Sequence, residues 1–224
     1  MSLTDAAENI RYTQFEADIS SLLERLSVDV DLGAKKGLSV LGERLTELYR
    51  HRLVKINHSV MELICSKDLI LRGYDVKLEY PLDAGLICDI YAVKGEGVLI
   101  VEVETGYTPP NHALDPYTYN RARISSKIAR YSVFANKFGL ATPNYNVLQI
   151  PAVFSRPPRY RIEEEVSEIK RLCDLYYSSP PISAKQIREA NLQSITLIDI
   201  DDVKTREIDP ESYQKLLLHI ESII

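Results

Sequence analysis

The segment from Cys88 to Glu104 constrains the fold more than any other part of this 224-residue chain. It holds two short apolar runs separated by Lys94-Gly-Glu-Gly97, a pattern typical of two strands joined as a hairpin. Side chains alternate between the two faces of a strand. Glu102 and Glu104 therefore share one face of the second strand, and the other face is wholly apolar, formed by Leu99, Val101 and Val103.

Two carboxylates on one face of a buried strand need a compensating charge. Like charges at this spacing repel, and their desolvation is costly unless a cation lies nearby. A hard divalent cation with oxygen ligands suits such a pair. The hairpin turn also brings Asp89, at the start of the first strand, toward Glu102. Asp89, Glu102 and Glu104 therefore predict a site for Mg²⁺ or Mn²⁺ at one edge of the sheet.

The rest of the chain predicts an α/β fold, a mixed central sheet flanked by helices. We expect strands at 75–80, 86–93, 97–103, 146–154 and 194–200, and helices at about 119–138 and 162–177, with a short helix before the last strand. A final helix begins at Pro210, with Asp209 as its cap. Residues 51–224 would form this domain.

Residues 1–50 read as a helical extension that could serve dimerisation, so a homodimer is one possible assembly. A break at 29–33 divides this region. A second helix begins near Gly37 and could run as far as Arg72, where Gly73 supplies a stop.

Charge is distributed unevenly along the chain. The net charge of −5 argues weakly against a nucleic-acid partner, but no Asp or Glu occurs from 116 to 162. Eight basic residues lie there, and the remaining residues hold 19 basic and 32 acidic side chains. Such a segregated basic stretch is typical of a phosphate-binding face, although a solvated helix and loop would fit equally well. The eight are Arg121, Arg123, Lys127, Arg130, Lys137, Arg156, Arg159 and Arg161.

Other features favour a cytoplasmic protein without a membrane partner. No apolar run reaches the ~20 residues of a membrane-spanning helix. The N-terminus lacks the pattern of a signal peptide. Three cysteines without metal-ligand spacing favour buried thiols in a reducing compartment.

An Asp, twelve intervening residues and Glu-x-Glu in an apolar strand resembles the signature of the PD-(D/E)XK nucleases, also called restriction-endonuclease-like. Within this superfamily, the segment most resembles the archaeal Holliday-junction resolvases. The flanking segments agree, and the resemblance covers about residues 57–154. These segments are Met61-Glu-Leu-Ile64, Arg72-Gly-Tyr-Asp-Val76 and Asn136-Lys-Phe-Gly139.

This resemblance implies a divalent-metal-dependent nuclease that acts on phosphodiester bonds, with DNA as the favoured substrate. It implies that Asp89, Glu102 and the main-chain carbonyl near Val103 hold the metal. The third motif position is usually Lys, and here it is Glu104, which would bind a second ion or orient the attacking water.

Some members of the superfamily carry the missing lysine on the following helix. Lys127 lies at the boundary of that helix's apolar stripe, where its ammonium can reach a cleft. Lys127 with Tyr131 one turn later also resembles the Gln-x-x-x-Tyr motif of RecB-like nucleases. We therefore expect catalytic roles for both residues. Arg121, Arg123 and Arg130 are the candidate contacts to nucleic acid.

Other candidates carry less of the argument. The first helix of the superfamily often supplies a carboxylate, and Glu62 is the candidate, although we expect it to lie opposite the apolar stripe. The four histidines show no metal-ligand spacing and are expected at the surface.

Two other functions remain open. The chain could be a nuclease-fold module that binds nucleic acid without cleaving it. It could also be a structural or oligomeric interaction protein in which the acidic triad is merely solvated.

Overall fold

The structure is a computed structural model that describes residues 3–83 and 85–221. A six-stranded mixed sheet with the order β1-β2-β3-β4-β5-β6 forms the centre of this part of the chain. The first three strands form an antiparallel meander, β3, β4 and β5 are parallel, and β6 returns antiparallel to β5. The strands are β1 Asp75–Pro81, β2 Ile87–Lys94, β3 Gly97–Val103, β4 Lys137–Pro143, β5 Ser194–Asp199 and β6 Lys204–Ile208.

Helices cover both faces of the sheet. The first three pack with one apolar cluster that includes Leu99, Val101 and Val103, whereas α4 to α7 contribute to a second cluster that includes Ile100. The expected α/β fold and the alternation along β3 are therefore confirmed. The helices are α1 Leu3–Leu26, α2 Leu32–Arg50, α3 Ile56–Leu71, α4 Pro116–Tyr131, α5 Glu163–Asp174, α6 Ala184–Glu189 and α7 Pro210–Glu221.

The N-terminal helices share their core with the sheet. Leu26 of α1 and Leu38 of α2 are fully buried in the cluster that also holds the apolar face of β3. The predicted second helix was wrong in its bounds. It begins at Leu32 because Asp31 caps it by accepting from the amide of Ala34, and it stops at Arg50, separate from α3.

The predicted strand at 146–154 was wrong, and so was the extension of the preceding helix to 138. Helix α4 ends at Tyr131, and the fourth strand is 137–143. This strand is buried on both faces between two parallel neighbours, so it lacks the alternation that marks a half-exposed strand. The apolar run at 146–154 is an irregular segment. The amide of Leu148 donates to the hydroxyl of Tyr213 on α7, at 2.8 Å.

The C-terminal region contains a strand that the sequence analysis missed. Strand β6 carries mostly polar, exposed side chains at the edge of the sheet, so it has no apolar pattern. The predicted cap of α7 is confirmed, because Asp209 accepts from the amide of Ser212 at 2.9 Å. Among the described helices, none has the length and apolar character needed to cross a membrane.

Candidate functional site

The hairpin of β2 and β3 opens at the position of the acidic residues. The regular ladder pairs Ile90 with Val101 and goes no further. Beyond it, side chains replace main-chain partners: the amide of Asp89 donates to Glu102 Oε1 at 3.0 Å, and the amide of Val103 donates to Asp89 Oδ2 at 2.6 Å. Both carboxylates are thus fixed in place by the backbone of the opposite strand.

Lys127 of α4 lies in the middle of the three predicted carboxylates. Its ammonium is within 2.8 Å of Glu104, 3.1 Å of Glu102 and 3.5 Å of Asp89, and it donates to the carbonyl of Val103 at 3.1 Å. The expected placement of Lys127 on the side of Glu102 and Glu104 is therefore confirmed. We call Asp89, Glu102, Glu104 and Lys127 the carboxylate–lysine centre.

The centre is enclosed but not sealed. The side chains of Glu102 and Glu104 are 1% and 4% exposed, whereas those of Asp89 and Lys127 are 13% and 18% exposed. The acidic triad is therefore not merely solvated. The exposed part of the centre is on the side of Asp89 and Lys127.

Arg123 joins the centre from one turn earlier on α4. Its guanidinium lies 3.1 Å from Glu104 and also donates to the carbonyl of Tyr107 at 2.9 Å. Glu104 therefore has a cation on each of its oxygens. Its own carbonyl accepts from the hydroxyl of Thr142 on β4, at 2.9 Å. Glu104 is thus held by two elements, α4 and β4.

A histidine and two further acids adjoin Asp89. His58 of α3 contacts Glu62 at 2.9 Å, the carbonyl of Val103 at 3.1 Å and Asp89 at 3.5 Å. One ligand atom from each of four residues lies within 4.8 Å of all the others. We call these four residues the histidine–acid group. They are His58, Glu62, Glu79 and Asp89.

Glu62 and Glu79 are adjacent carboxyl groups whose negative charge must be compensated by a proton or by a cation. Glu62 is fully buried, and its Oε2 has no hydrogen-bond donor among the described residues. Burial raises the pKa of Glu62. Burial, together with the charges of Glu62 and Asp89, raises the pKa of Glu79 to about 8. One carboxyl of this pair holds a proton unless a cation takes its place.

The charges in the centre compensate each other only in part. Burial raises the pKa of Glu102 to about 8, with Asp89 adding to the shift and Lys127 opposing it. Burial alone would lower the pKa of Lys127, but the three surrounding carboxylates raise it well above its usual value. The two shifts are compatible because one ammonium can remain charged while one of three carboxyl groups binds a proton.

His58 responds to the same surplus of negative charge. Burial lowers its pKa, but the hydrogen bond to Glu62 and the charge of Asp89 outweigh this and raise it to about 9. The imidazole is thus cationic at neutral pH in the absence of a metal.

The remaining predicted site residues lie in different surroundings. Tyr131 donates from its hydroxyl to the carbonyl of Ile87 at 2.9 Å, and burial together with the charge of Glu102 raises its pKa. Arg121 lies 3.7 Å from Glu168 on α5, and Arg130 donates to the carbonyl of Pro180. Of the three arginines, Arg123 is the one that contacts the centre. The roles of these residues remain predictions.

The sequence analysis missed His58 and Glu79 and misplaced Glu62. The expectation that Glu62 lies opposite the buried stripe of α3 was wrong, because α3 is covered by α2 as well as by the sheet. His58 and Glu62 are four residues apart, a spacing that places them on one helix face and could have identified the pair. Glu79 has a φ of 48°, a departure from regular strand geometry that no sequence pattern predicts.

Comparisons with family models, curated proteins and solved structures returned no match for this chain.

Proposed function

We propose that this protein is a divalent-metal-dependent nuclease that hydrolyses phosphodiester bonds, with DNA as its substrate. The observation that carries the proposal is the excess of carboxyl groups over cationic side chains in this partly buried site. Five carboxyl groups, from the carboxylate–lysine centre and the histidine–acid group, face two permanent cations and one imidazole. With all five carboxyl groups ionised and His58 protonated, two negative charges would remain, which is the charge of one divalent cation.

The residues fit such an ion. Asp89, Glu102 and the carbonyl of Val103 supply the hard oxygens that Mg²⁺ and Mn²⁺ prefer. His58 adds a nitrogen beside the same carbonyl, at 3.1 Å. Oε2 of Glu62, which has no donor among the described residues, is a further acceptor nearby. A bound divalent ion would supply a Lewis acid for a phosphoryl oxygen and acidify nearby water.

The side chains of the chain itself would perform the other tasks. Lys127 can turn its ammonium from the carboxylates to a non-bridging oxygen of the scissile phosphate and stabilise the charge that develops there. Glu104, flanked by Lys127 and Arg123, can orient the attacking water. Hydrolysis then forms a bond from water oxygen to phosphorus and breaks the bond from phosphorus to the leaving sugar oxygen.

A second candidate is a nucleic-acid-binding module that does not cleave. The observation in its favour is that Lys127 contacts all three carboxylates. In that case the ammonium is the permanent counterion and the centre is a structural ion pair.

Metal binding and cleavage together separate the two. Calorimetric titration with Mn²⁺ and incubation with labelled linear, circular and branched DNA, in Mn²⁺ or EDTA, are the measurements. We expect saturable Mn²⁺ binding and Mn²⁺-dependent cleavage, both lost in Asp89→Asn. Lys137→Gln, which changes an exposed basic residue elsewhere, is the matched control and should behave as wild type. DNA binding without Mn²⁺ binding or cleavage would reject the nuclease in favour of the module.

A further inference from the structure

The connection between α2 and α3 is a basic run that the proposed function does not use. It reads Arg50-His-Arg-Leu-Val-Lys55, and no acidic residue lies between Glu47 and Glu62. Short runs rich in Lys and Arg are a feature of nucleic-acid-binding surfaces. This run lies outside the acid-free segment at 116–162.

In the structure this run forms one wall of a cleft of about 540 Å³, and Arg11 of α1 forms part of the other. Among the residues that the structure describes, the cleft is lined by four cations, two tyrosines and one valine, and by no acidic side chain. The cations are Arg11, Arg50, Arg52 and Lys55. These four residues come from separate elements, so it is the tertiary fold that brings their charges together.

The four cations differ in how far their charge is compensated within the chain. The guanidinium of Arg50 lies 3.3 Å from Glu16 and also donates to the hydroxyl of Tyr12, and Arg52 has an interaction partner as well. Within the described residues, neither Arg11 nor Lys55 forms an ion pair with a carboxylate, and both are exposed. The cleft therefore presents positive charge to solvent, unlike Arg123 and Lys127, whose charges face carboxylates.

The cleft is connected to the carboxylate–lysine centre through one aromatic residue. The ammonium of Lys55 lies 5.9 Å from the centroid of the Tyr107 ring, and the carbonyl of Tyr107 accepts from Arg123, which contacts Glu104. Lys55 also directly precedes α3, whose first turn carries His58. A chain lying in the cleft would thus continue past an exposed tyrosine toward the centre.

We propose that this cleft binds the phosphate backbone of the nucleic acid whose scissile bond lies at the centre, an inference that rests on the proposed nuclease function. A single phosphate monoester carries only about two negative charges. Four cations drawn from α1, the end of α2 and the following connection suit a polyanion with one charge per nucleotide. The tyrosine at the exit, 57% exposed, can stack on a base as the strand passes.

The test measures binding of a fluorescein-labelled 20-base-pair DNA duplex to the full chain by fluorescence anisotropy, in EDTA and over a series of salt concentrations. The variant is R11A/R52N/K55A, with Asn at position 52 because Arg52 has a φ of 59°, which Asn tolerates. The control is K35A/K36A/K185A, which removes three exposed lysines outside the cleft. R11A/K55A serves as a second variant without a change at the turn.

We expect the cleft variant to lose affinity by about 10- to 100-fold and the slope of log K against log salt to fall by about 2 to 3, since each phosphate contact contributes roughly 0.9. The control should change affinity less than about twofold. Equal losses in both triple variants, an unchanged salt slope, or no binding by the wild type would overturn the proposal. Competition by polyglutamate as effective as that by DNA would overturn it in favour of an acidic polypeptide.

The two proposals can fail separately. Cleft-dependent DNA binding without Mn²⁺-dependent cleavage would support the proposed role of the cleft and reject the proposed nuclease function. If R11A/K55A changes neither cleavage nor affinity for DNA, the nuclease function would be supported and the proposed role of the cleft rejected.

Discussion

Lys127 and Arg161 come from the same acid-free stretch of sequence; Arg161 is buried and Lys127 partly buried, and the fold surrounds them differently. Lys127 faces three carboxylates, which raise its pKa. Arg161 donates to the carbonyls of five residues and contacts no carboxylate among the described residues. Burial, with the charge of Arg156, lowers the pKa of Arg161 to about 10.

The difference separates two uses of a buried cation. A guanidinium satisfied by neutral carbonyls joins loop to helix and keeps its charge, but its donors are occupied and are not free to bind a ligand. An ammonium among excess carboxylates belongs to a charged cluster whose balance changes when another ion enters. Basic residues of one segment therefore cannot be assigned a shared phosphate-binding role from their charge alone.

The largest expected effect is on stability, at Arg161. Arg161→Met removes every donor of this network and leaves buried carbonyls without partners, so we expect the free energy of unfolding to fall by about 3–5 kcal/mol. Urea unfolding followed by circular dichroism measures it. Arg159→Met, at an exposed neighbouring position, is the control and should stay within about 0.5 kcal/mol. A loss below about 1 kcal/mol at Arg161 would mean that water replaces the guanidinium.

Lys127→Met tests the other side of the comparison. It leaves three carboxylates without their ammonium, and we expect a loss of about 2–4 kcal/mol in EDTA. Mn²⁺ should recover more stability in this variant than in wild type, since binding to the folded state alone stabilises it. Under the proposed function, cleavage falls by about 10²- to 10³-fold. Lys137→Met is the control. Equal effects of Mn²⁺ on both proteins would show that metal and ammonium do not share the carboxylates.

The pH dependence of stability should belong to the region of Lys127 and not to that of Arg161. His58, Glu79 and Glu102 have pKa values raised to about 9, 8 and 8. A raised pKa stabilises the folded protein below the unfolded value and loses this as pH rises through the folded value. Stability in EDTA should therefore fall between about pH 5 and pH 9, by roughly 1–3 kcal/mol.

Urea unfolding at several pH values, in wild type and in Glu79→Gln, measures this trend. Glu79→Gln should flatten the fall because its amide does not ionise. In Arg161→Met the slope should match that of wild type. Stability that rises with pH over this range would show that the acids are better stabilised as anions than the geometry indicates.

The smallest effect should come from the two arginines that precede Lys127 on α4. Arg123→Ala removes an ion pair with the buried Glu104 and a hydrogen bond to Tyr107, and we expect a loss of about 1 kcal/mol. Arg121→Ala removes a contact of 3.7 Å to the exposed Glu168, and the change should stay within about 0.5 kcal/mol. Thermal or urea unfolding of both variants ranks them. Equal losses would remove the distinction between enclosed and surface pairs.

Much of the centre could be predicted from the sequence because local periodicity governs it. Alternation in β3 places Glu102 and Glu104 on one face, a short turn brings Asp89 opposite, and helical periodicity places Lys127 at the boundary of α4. These patterns involve contacts within one element or between neighbours along the chain. The bounds of β2 and β3 were correct to within one residue for the same reason.

The rest depends on contacts that local patterns do not encode. Strand β4 is buried on both faces, so its sequence lacks the alternation of a half-exposed strand. The apolar spacing of α4 continues into the start of β4, and the predicted helix was therefore too long. His58 reaches the centre because α3 packs across the sheet, 45 residues before the carbonyl of Val103 that it contacts. Arg11 enters the basic cleft through the packing of α1. A single sequence holds no periodic signal for such pairs.

The carbonyl of Val103 has a consequence for genetic analysis. This one oxygen accepts from both His58 and Lys127, while the side chain of Val103 points to the opposite apolar cluster. No substitution at position 103 deletes the oxygen. A mutational scan there would report only the packing of a buried valine. An inserted or deleted residue within β3 would displace the oxygen, but it would also change the face on which Glu102 and Glu104 lie.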